Sequence, residues 1–359
     1  MATIRNPINQ DTFIDLAPAL EEIKPQFGRI ADSGLFEEQG ITANVSMYRI
    51  IEQGDTKMTK LTSRVERDAM ATEKSPEKIV TMGSISLKIT GGVHVEDLIG
   101  VSGGVFNEAS PTFQMETIKE LTRMANVGAA NREYLLATAT QGKVRDPWNS
   151  AVKIDNYANT GTARTEFLLN ASPNASIFES LNALANQVSQ LNGYNGNVGT
   201  IEVVLGEQAF TDIVSHPDFT ALYQLAFTGM GNAAVNQPFL NGTVAQPTLN
   251  QYGYRREFRW NNFLFVTYPQ KFKRWDGTLV DIIEPNKGWT IVNVSGLYRV
   301  KYCPAPYVTT YDQAGTRWVA RSTGIINDTH ADFTLESHMI PYMARPEMSL
   351  DITVSTTEL

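Results

Sequence analysis

Cysteine is almost absent. Cys303 is alone in 359 residues, which excludes an internal disulfide framework and any multi-cysteine metal site, and suits a reducing compartment. Histidine is nearly as scarce. His94, His216, His330 and His338 show no HExxH spacing, and zinc needs three or four close ligands of defined geometry. The four read as structural or surface residues, and no metal or other cofactor is expected. No apolar run approaches the ~20 residues that span a bilayer, and no basic segment followed by an apolar one opens the chain. A soluble protein without membrane contact, not secreted by the usual route, is expected. Base is in deficit too: 30 Lys and Arg face 38 Asp and Glu, a formal charge of −8. That balance lacks the basic footprint of a protein that grips nucleic acid, and phosphate would slide past such a surface. Phosphate-loop chemistry is missing as well, because Gly142-Lys143 is followed by Val144 and not by a hydroxyl that could touch magnesium.

What is present is a sizeable apolar fraction, 42%, on a chain long enough for two or three domains. A compact monomer of this length would expose about 14,000 Å², and several segments predict much more. The first forty residues are acidic, with Asp11, Asp15, Glu21, Glu22, Asp32, Glu37 and Glu38 against Arg5, Lys24 and Arg29. A short helix over residues 18–27 places Leu20, Ile23 and Phe27 together. Such an arm has too little apolar surface for a core of its own and needs a neighbour.

Residues 44–52 read as a strand, through Val45, Tyr48, Ile50 and Ile51. Residues 79–90 read as a second, in which Ile85, Leu87 and Ile89 alternate with Ser84, Ser86, Lys88 and Thr90. Between them, residues 52–78 hold twelve charges in 27 positions. The positive ones are Lys57, Lys60, Arg64, Arg67, Lys74 and Lys78, and the negative ones Glu52, Asp55, Glu66, Asp68, Glu73 and Glu77. Two strands with a long charged tip predict a projecting hairpin, which is marginal alone. Balanced charge at that density suits pairing across a subunit boundary, where it sets register more than affinity; by itself the same stretch also fits a solvated loop. Lys57, Lys60, Arg64, Glu66, Arg67, Asp68, Glu73 and Lys74 are the candidate contact residues.

A long helix follows, opened by Ser110 as N-cap and Pro111 at the first position. Met115, Ile118, Leu121, Ala125, Ala129 and Leu136 recur at helical spacing to about residue 140, a rod about 45 Å long. Ser176 and Glu179 form a capping box ahead of Leu181, Leu184, Val188 and Leu191. From residue 200 the pattern is mixed, with a buried-strand run at 201–205 and helical stretches at 210–214 and 219–227. Strands are expected at 263–268, 279–283, 290–294 and 297–302, where Phe263 and Phe265, with Trp260 nearby, read as core residues and not as base-stacking platforms. Residues 220–254 contain no Asp, Glu, Lys or Arg. A neutral loop of that length suits a symmetry axis, where any charge would be repeated against itself; disorder is the competing explanation. Leu350, Ile352 and Val354 close the chain with an alternating strand.

One catalytic motif needs weighing. Gly100-Val101-Ser102-Gly103-Gly104 matches GxSxG, but a nucleophile elbow passes straight from strand to helix. Here Val105, Phe106 and Asn107 intervene, so a serine hydrolase using Ser102 is the minor alternative and a glycine hinge the major one. Sequons such as those at Asn170, Asn174 and Asn293 carry no weight without a secretory signal.

The order of parts, together with residues 333–347 (FTLESHMIPYMARPE) before the closing strand and residues 289–299 (WTIVNVSGLYR), resembles the lambda-type major capsid proteins, the phage capsid protein E family. The resemblance implies an α+β chain with the Hong Kong 97-like capsid fold and no enzymatic activity. It implies an N-terminal arm (1–42), an E-loop hairpin (43–100), a peripheral domain with a spine helix (101–200), an axial domain (201–305) and a return to the peripheral domain (306–359). It further implies self-assembly into hexamers and pentamers of an icosahedral shell around phage double-stranded DNA, without sequence-specific contact to that DNA. The subunit would be made in the bacterial host cytoplasm and end in the virion. No scaffolding segment is expected ahead of the arm, so a separate scaffolding protein is expected, beside a portal; a decoration protein is compatible. Some members crosslink a loop lysine to a neighbour's asparagine, for which Lys57 and Lys60 are the available donors without an identifiable acceptor. An encapsulin-like compartment shares the fold and is the other alternative.

Overall fold

A computed structural model of the chain describes residues 29–51, 77–96, 111–191, 199–221, 247–250, 253–268, 271–308, 310–326 and 330–357. In chain order the strands are β1 (Glu37–Gly40), β2 (Val45–Ile51), β3 (Glu77–Gly83), β4 (Ile85–His94), β5 (Lys143–Arg145), β6 (Val152–Asp155) and β7 (Thr165–Asn170). The middle of the chain adds β8 (Ile201–Leu205), β9 (Pro247–Asn250), β10 (Gly253–Trp260), β11 (Phe263–Thr267), β12 (Lys271–Lys273) and β13 (Leu279–Asp281). The last are β14 (Lys287–Val292), β15 (Tyr298–Tyr302), β16 (Val319–Ile326), β17 (His330–Met343) and β18 (Leu350–Ser355). The helices are α1 (Pro111–Thr140), α2 (Asn156–Thr160), α3 (Ile177–Leu191) and α4 (Glu207–Val214).

The 30-residue α1 begins at the expected proline and ends where Gly142 takes a left-handed φ of 78°. A Cβ there would meet the Tyr157 ring at 2.4 Å, so glycine is needed for conformation and for space. The packed stripe differs from the expected one. Phe113, Leu121 and Met124 are buried against Ile89, Val93, Phe333 and Leu335, whereas Met115 and Ile118 are 61% and 62% exposed. Gly128 belongs to the packed stripe because its missing side chain admits the Trp318 ring. Apolar residues occupy two neighbouring stripes of α1, and only the position of the sheet selects one.

That sheet has five strands. Around β17, β4 and β16 pair with the same residues from opposite sides, and β15 continues beyond β4 with β1 parallel at its edge. The strand expected over residues 79–90 is in fact two. The chain breaks at Ser84, whose N–H donates to Asn44 O at 3.2 Å; β3 pairs with β2 and β4 with β17. Alternation reads the same on both sides of such a break, so the pattern alone cannot show it.

A second, seven-stranded sheet runs β7-β18-β14-β8-β11-β10-β9. Its centre, β8, is parallel to β11 and antiparallel to β14. Ile201, Val203, Val204 and Leu205 are all buried there, as a strand covered on both faces requires. The closing strand β18 slots between β7 and β14 with Leu350, Ile352 and Val354 inward. Leu181, Leu184 and Val188 of α3 join the same core. Its first N–H, on Ile177, donates to Asp218 Oδ2 at 3.1 Å, an N-terminal partner 41 positions away in addition to the local capping pattern.

Candidate functional site

The candidate contact residues Lys57, Lys60, Arg64, Glu66, Arg67, Asp68, Glu73 and Lys74 lie outside the described residues, as do Ser102 and most of the neutral stretch. The structure does describe the hairpin root, β2 and β3, and the arm root, residues 29–40. At the hairpin root, β2 and β3 pair from Val45↔Gly83 to Ile51↔Glu77. Ser46, Val80 and Met82 face the core, and Lys301 Nζ donates to Ser46 Oγ at 2.7 Å. Burial pulls the Lys301 ammonium below its usual range. The opposite face leaves Val45, Met47 and Ile79 exposed, Met47 by 69%. Apolar residues facing water on a two-stranded ribbon are unfavourable alone and suit coverage by another surface.

At the arm root, a buried carboxylate does the holding. Glu133, fully buried on α1, accepts the backbone N–H of Ile30 at 2.9 Å, that of Ala31 at 2.8 Å and the Tyr268 hydroxyl at 2.7 Å. Burial pushes its pKa up, while those three donors and the nearby Arg29 pull it back. Arg29 is itself paired with Glu202. One residue earlier on the helix, buried Arg132 donates to Glu38 of β1 at 2.5 Å, and Glu38 also accepts from Arg317 at 2.9 Å and from Tyr302 at 3.1 Å. Phe36 packs against Tyr298 at 5.6 Å between these two anchors. Sequence reading passed over Arg132 and Glu133, although a signal existed: they are the only charges between Met124 and Thr140. A groove of 370 Å³ lies beside the arm root, between Arg29 and Leu35 on one side and Glu202, Leu264 and Ile291 on the other.

The histidines fall into structural settings. His216 Nε2 lies 2.9 Å from Ser172 O, and its Nδ1 accepts the Asp218 N–H at 3.2 Å. His94 stacks on its cross-strand partner His330 at 5.6 Å. His338 forms a chain in which Ser86 Oγ is 2.7 Å from Nδ1 and Glu336 Oε2 is 3.2 Å from Nε2. Ser86 and His338 are register partners within the β4–β17 ladder, so the serine is mid-strand and not on an elbow, and neither described cavity includes it. Glu336 is further held by Tyr307 at 2.6 Å and Lys88 at 3.0 Å. This network fastens β4 to β17. Burial pushes the Glu336 pKa up, but the Tyr307, Lys88 and His338 hydrogen bonds outweigh it and leave a net lowering from 4.5. An acid lowered by folding stabilises above its ordinary pKa and loses that contribution as pH falls through the folded value. Glu336→Gln should therefore reduce the urea midpoint near pH 7, and the gap to the native protein should close as pH falls below the ordinary 4.5 of a glutamate and through the lowered folded value; a gap independent of pH would contradict this account. Among the described residues no group of three or more His, Cys, Asp or Glu could hold a metal, and no helix is long and apolar enough to cross a membrane.

Comparison with known proteins adds identity to this geometry. Residues 12–354 match the model of a family described as phage major capsid protein E. The major capsid protein of Salmonella phage Felix O1 is 23% identical over 360 residues, covering 94% of this chain and 95% of that one. A crystal structure described as a capsid protein of an E. coli CFT073 prophage aligns with a TM-score of 0.56 at 13% identity, over 96% of this chain and all of that one (100%). An encapsulin complex from Synechococcus elongatus aligns with a TM-score of 0.45 at 11% identity, over 99% and 94% of the two chains.

Proposed function

The chain belongs to the phage major capsid protein E family, and from that we propose that its copies build hexamers and pentamers of an icosahedral shell around phage double-stranded DNA. Its fold is the Hong Kong 97-like α+β arrangement of phage capsid proteins, and its role is that of a structural capsid subunit. Its work is association and not turnover. The observation that carries this reading is the rooted hairpin, whose β2–β3 base is fixed to the core on one face and leaves Val45, Met47 and Ile79 open on the other. The charged residues from Lys57 to Lys74, which the sequence sets between β2 and β3, are the proposed partners of a neighbouring copy, where they would set register. The arm (1–42), E-loop (43–100), peripheral (101–200 and 306–359) and axial (201–305) segments are proposed as its working divisions. Portal and scaffolding proteins are the proposed assembly partners, with a decoration protein as a further candidate, host cytoplasm as the place of synthesis and the virion as destination. Purified protein viewed by negative-stain electron microscopy should show closed shells. Small compact oligomers with an esterase activity lost on Ser102→Ala would overturn the reading.

A further inference from the structure

We propose that the stacked pair Trp148–Trp275 is a contact point between neighbouring copies of this chain; the proposal rests on the shell reading above. Trp148 lies in the loop between β5 and β6, and Trp275 at the tip of the β12–β13 hairpin. Their rings stack at 4.6 Å and 9°, yet they remain 58% and 69% exposed. Each therefore has one face covered by the other and its remaining surface in water. Leu279 and Val152, on the strands adjoining the two loops, are 63% and 46% exposed as well.

The two loops are held in place. Trp148 N–H donates to Asp146 Oδ1 at 2.9 Å, and Thr278 N–H to Asp276 Oδ1 at 2.9 Å. Ser150, with a left-handed φ of 60°, accepts from Arg274 at 2.5 Å and lies 3.1 Å from the Tyr134 hydroxyl. Phe272 meets the Tyr134 ring edge-on at 5.4 Å. A rigid aromatic platform loses little freedom on binding, and tryptophan is among the residues most enriched where interface energy concentrates.

The occupant follows from charge and from the shell reading. Lys153 is paired with Asp146 at 3.2 Å, and Lys271 with Asp281 at 3.3 Å. These pairs set the carboxylates of Asp146 and Asp281 among the bases beside the two rings, which suits the mixed polar rim of a protein interface better than a phosphate backbone. A capsid subunit meets mostly copies of itself, so a second copy is the partner.

The test uses the full chain. Trp148→Ser/Trp275→Ser should keep the circular dichroism of the native subunit while raising the concentration needed for shell formation by about tenfold or more. Trp148→Phe/Trp275→Phe should lie between the two. Because Trp289 is buried and Trp260 and Trp318 are partly covered, acrylamide quenching of the native protein reports mainly on the exposed pair, and it should fall on assembly without DNA. Assembly of the Ser variant at the native concentration would overturn the proposal, as would quenching that falls only when DNA is added. Should the Ser variant misfold, the Phe variant and the quenching decide. A native protein that forms no shells at any concentration would sink the shell reading itself, and this contact with it.

Discussion

Deleting residues 55–75 and bridging the gap with a short Gly-Ser linker should leave a folded subunit that no longer closes into shells. The deletion spares β2 and β3, and with them Ser46, Val80 and Met82, which anchor the hairpin root in the core. Both sheets, α1 and α3 are untouched, so the thermal transition should move little. Removed are Lys57, Lys60, Arg64, Glu66, Arg67, Asp68, Glu73 and Lys74, the charges proposed to pair across subunits. A loss of even about 1.4 kcal/mol per contact is tenfold in that contact's equilibrium, and closed symmetry repeats the loss at every copy. Sedimentation should find the variant entirely as subunits or capsomers at concentrations where the native protein forms shells. Normal shells from the deletion would remove the hairpin from the assembly mechanism.

Glu133→Ala should produce the largest change within the subunit. It strips the acceptor from two backbone N–H groups of the arm root and from the Tyr268 hydroxyl, all in a buried setting. Stranded buried donors cost about 1–3 kcal/mol each and broken buried charge networks about 3–5 kcal/mol in total, so a loss of that latter order is expected in urea unfolding. Hydrogen exchange at Ile30 and Ala31 should accelerate more than exchange in β8 or β14, because the loss begins at the arm. The pH dependence has the opposite sign to that of Glu336. Folding raises the Glu133 pKa, so its contribution is fullest at pH values below the ordinary 4.5 of a glutamate and declines as pH rises through the folded value. Glu133→Gln, a fixed neutral group, should therefore narrow its deficit against the native protein as pH is raised. A deficit that widens with pH, or an arm root whose exchange is unaltered in Glu133→Ala, would show that the carboxylate does not hold the arm.

The two acids illustrate why much of the site was illegible beforehand. The charged tip, the acidic arm and the neutral stretch are compositional, and composition is local information. What an acid faces is not local: Glu133 meets Ile30, 103 positions away, and Tyr268, 135 positions away. Trp148 and Trp275 carry no periodic signal, because each sits in a loop and gains meaning only from the other.

The sequence alone determined features set by near neighbours. Pro111 starts α1 and Gly142 ends it; a short apolar run broken only by Glu202 makes β8 a buried strand, and alternation aims Leu350, Ile352 and Val354 inward. Those choices follow from backbone sterics and from the periods of helix and strand. The tertiary structure alone decided which stripe of α1 packs, leaving Met115 and Ile118 outside. It also decided that one alternating run divides at Ser84 between two sheets, and that buried Arg132 and Glu133 hold the root of the arm. Each of these depends on which distant surface arrives, and periodicity is blind to that because any face with the right spacing satisfies it.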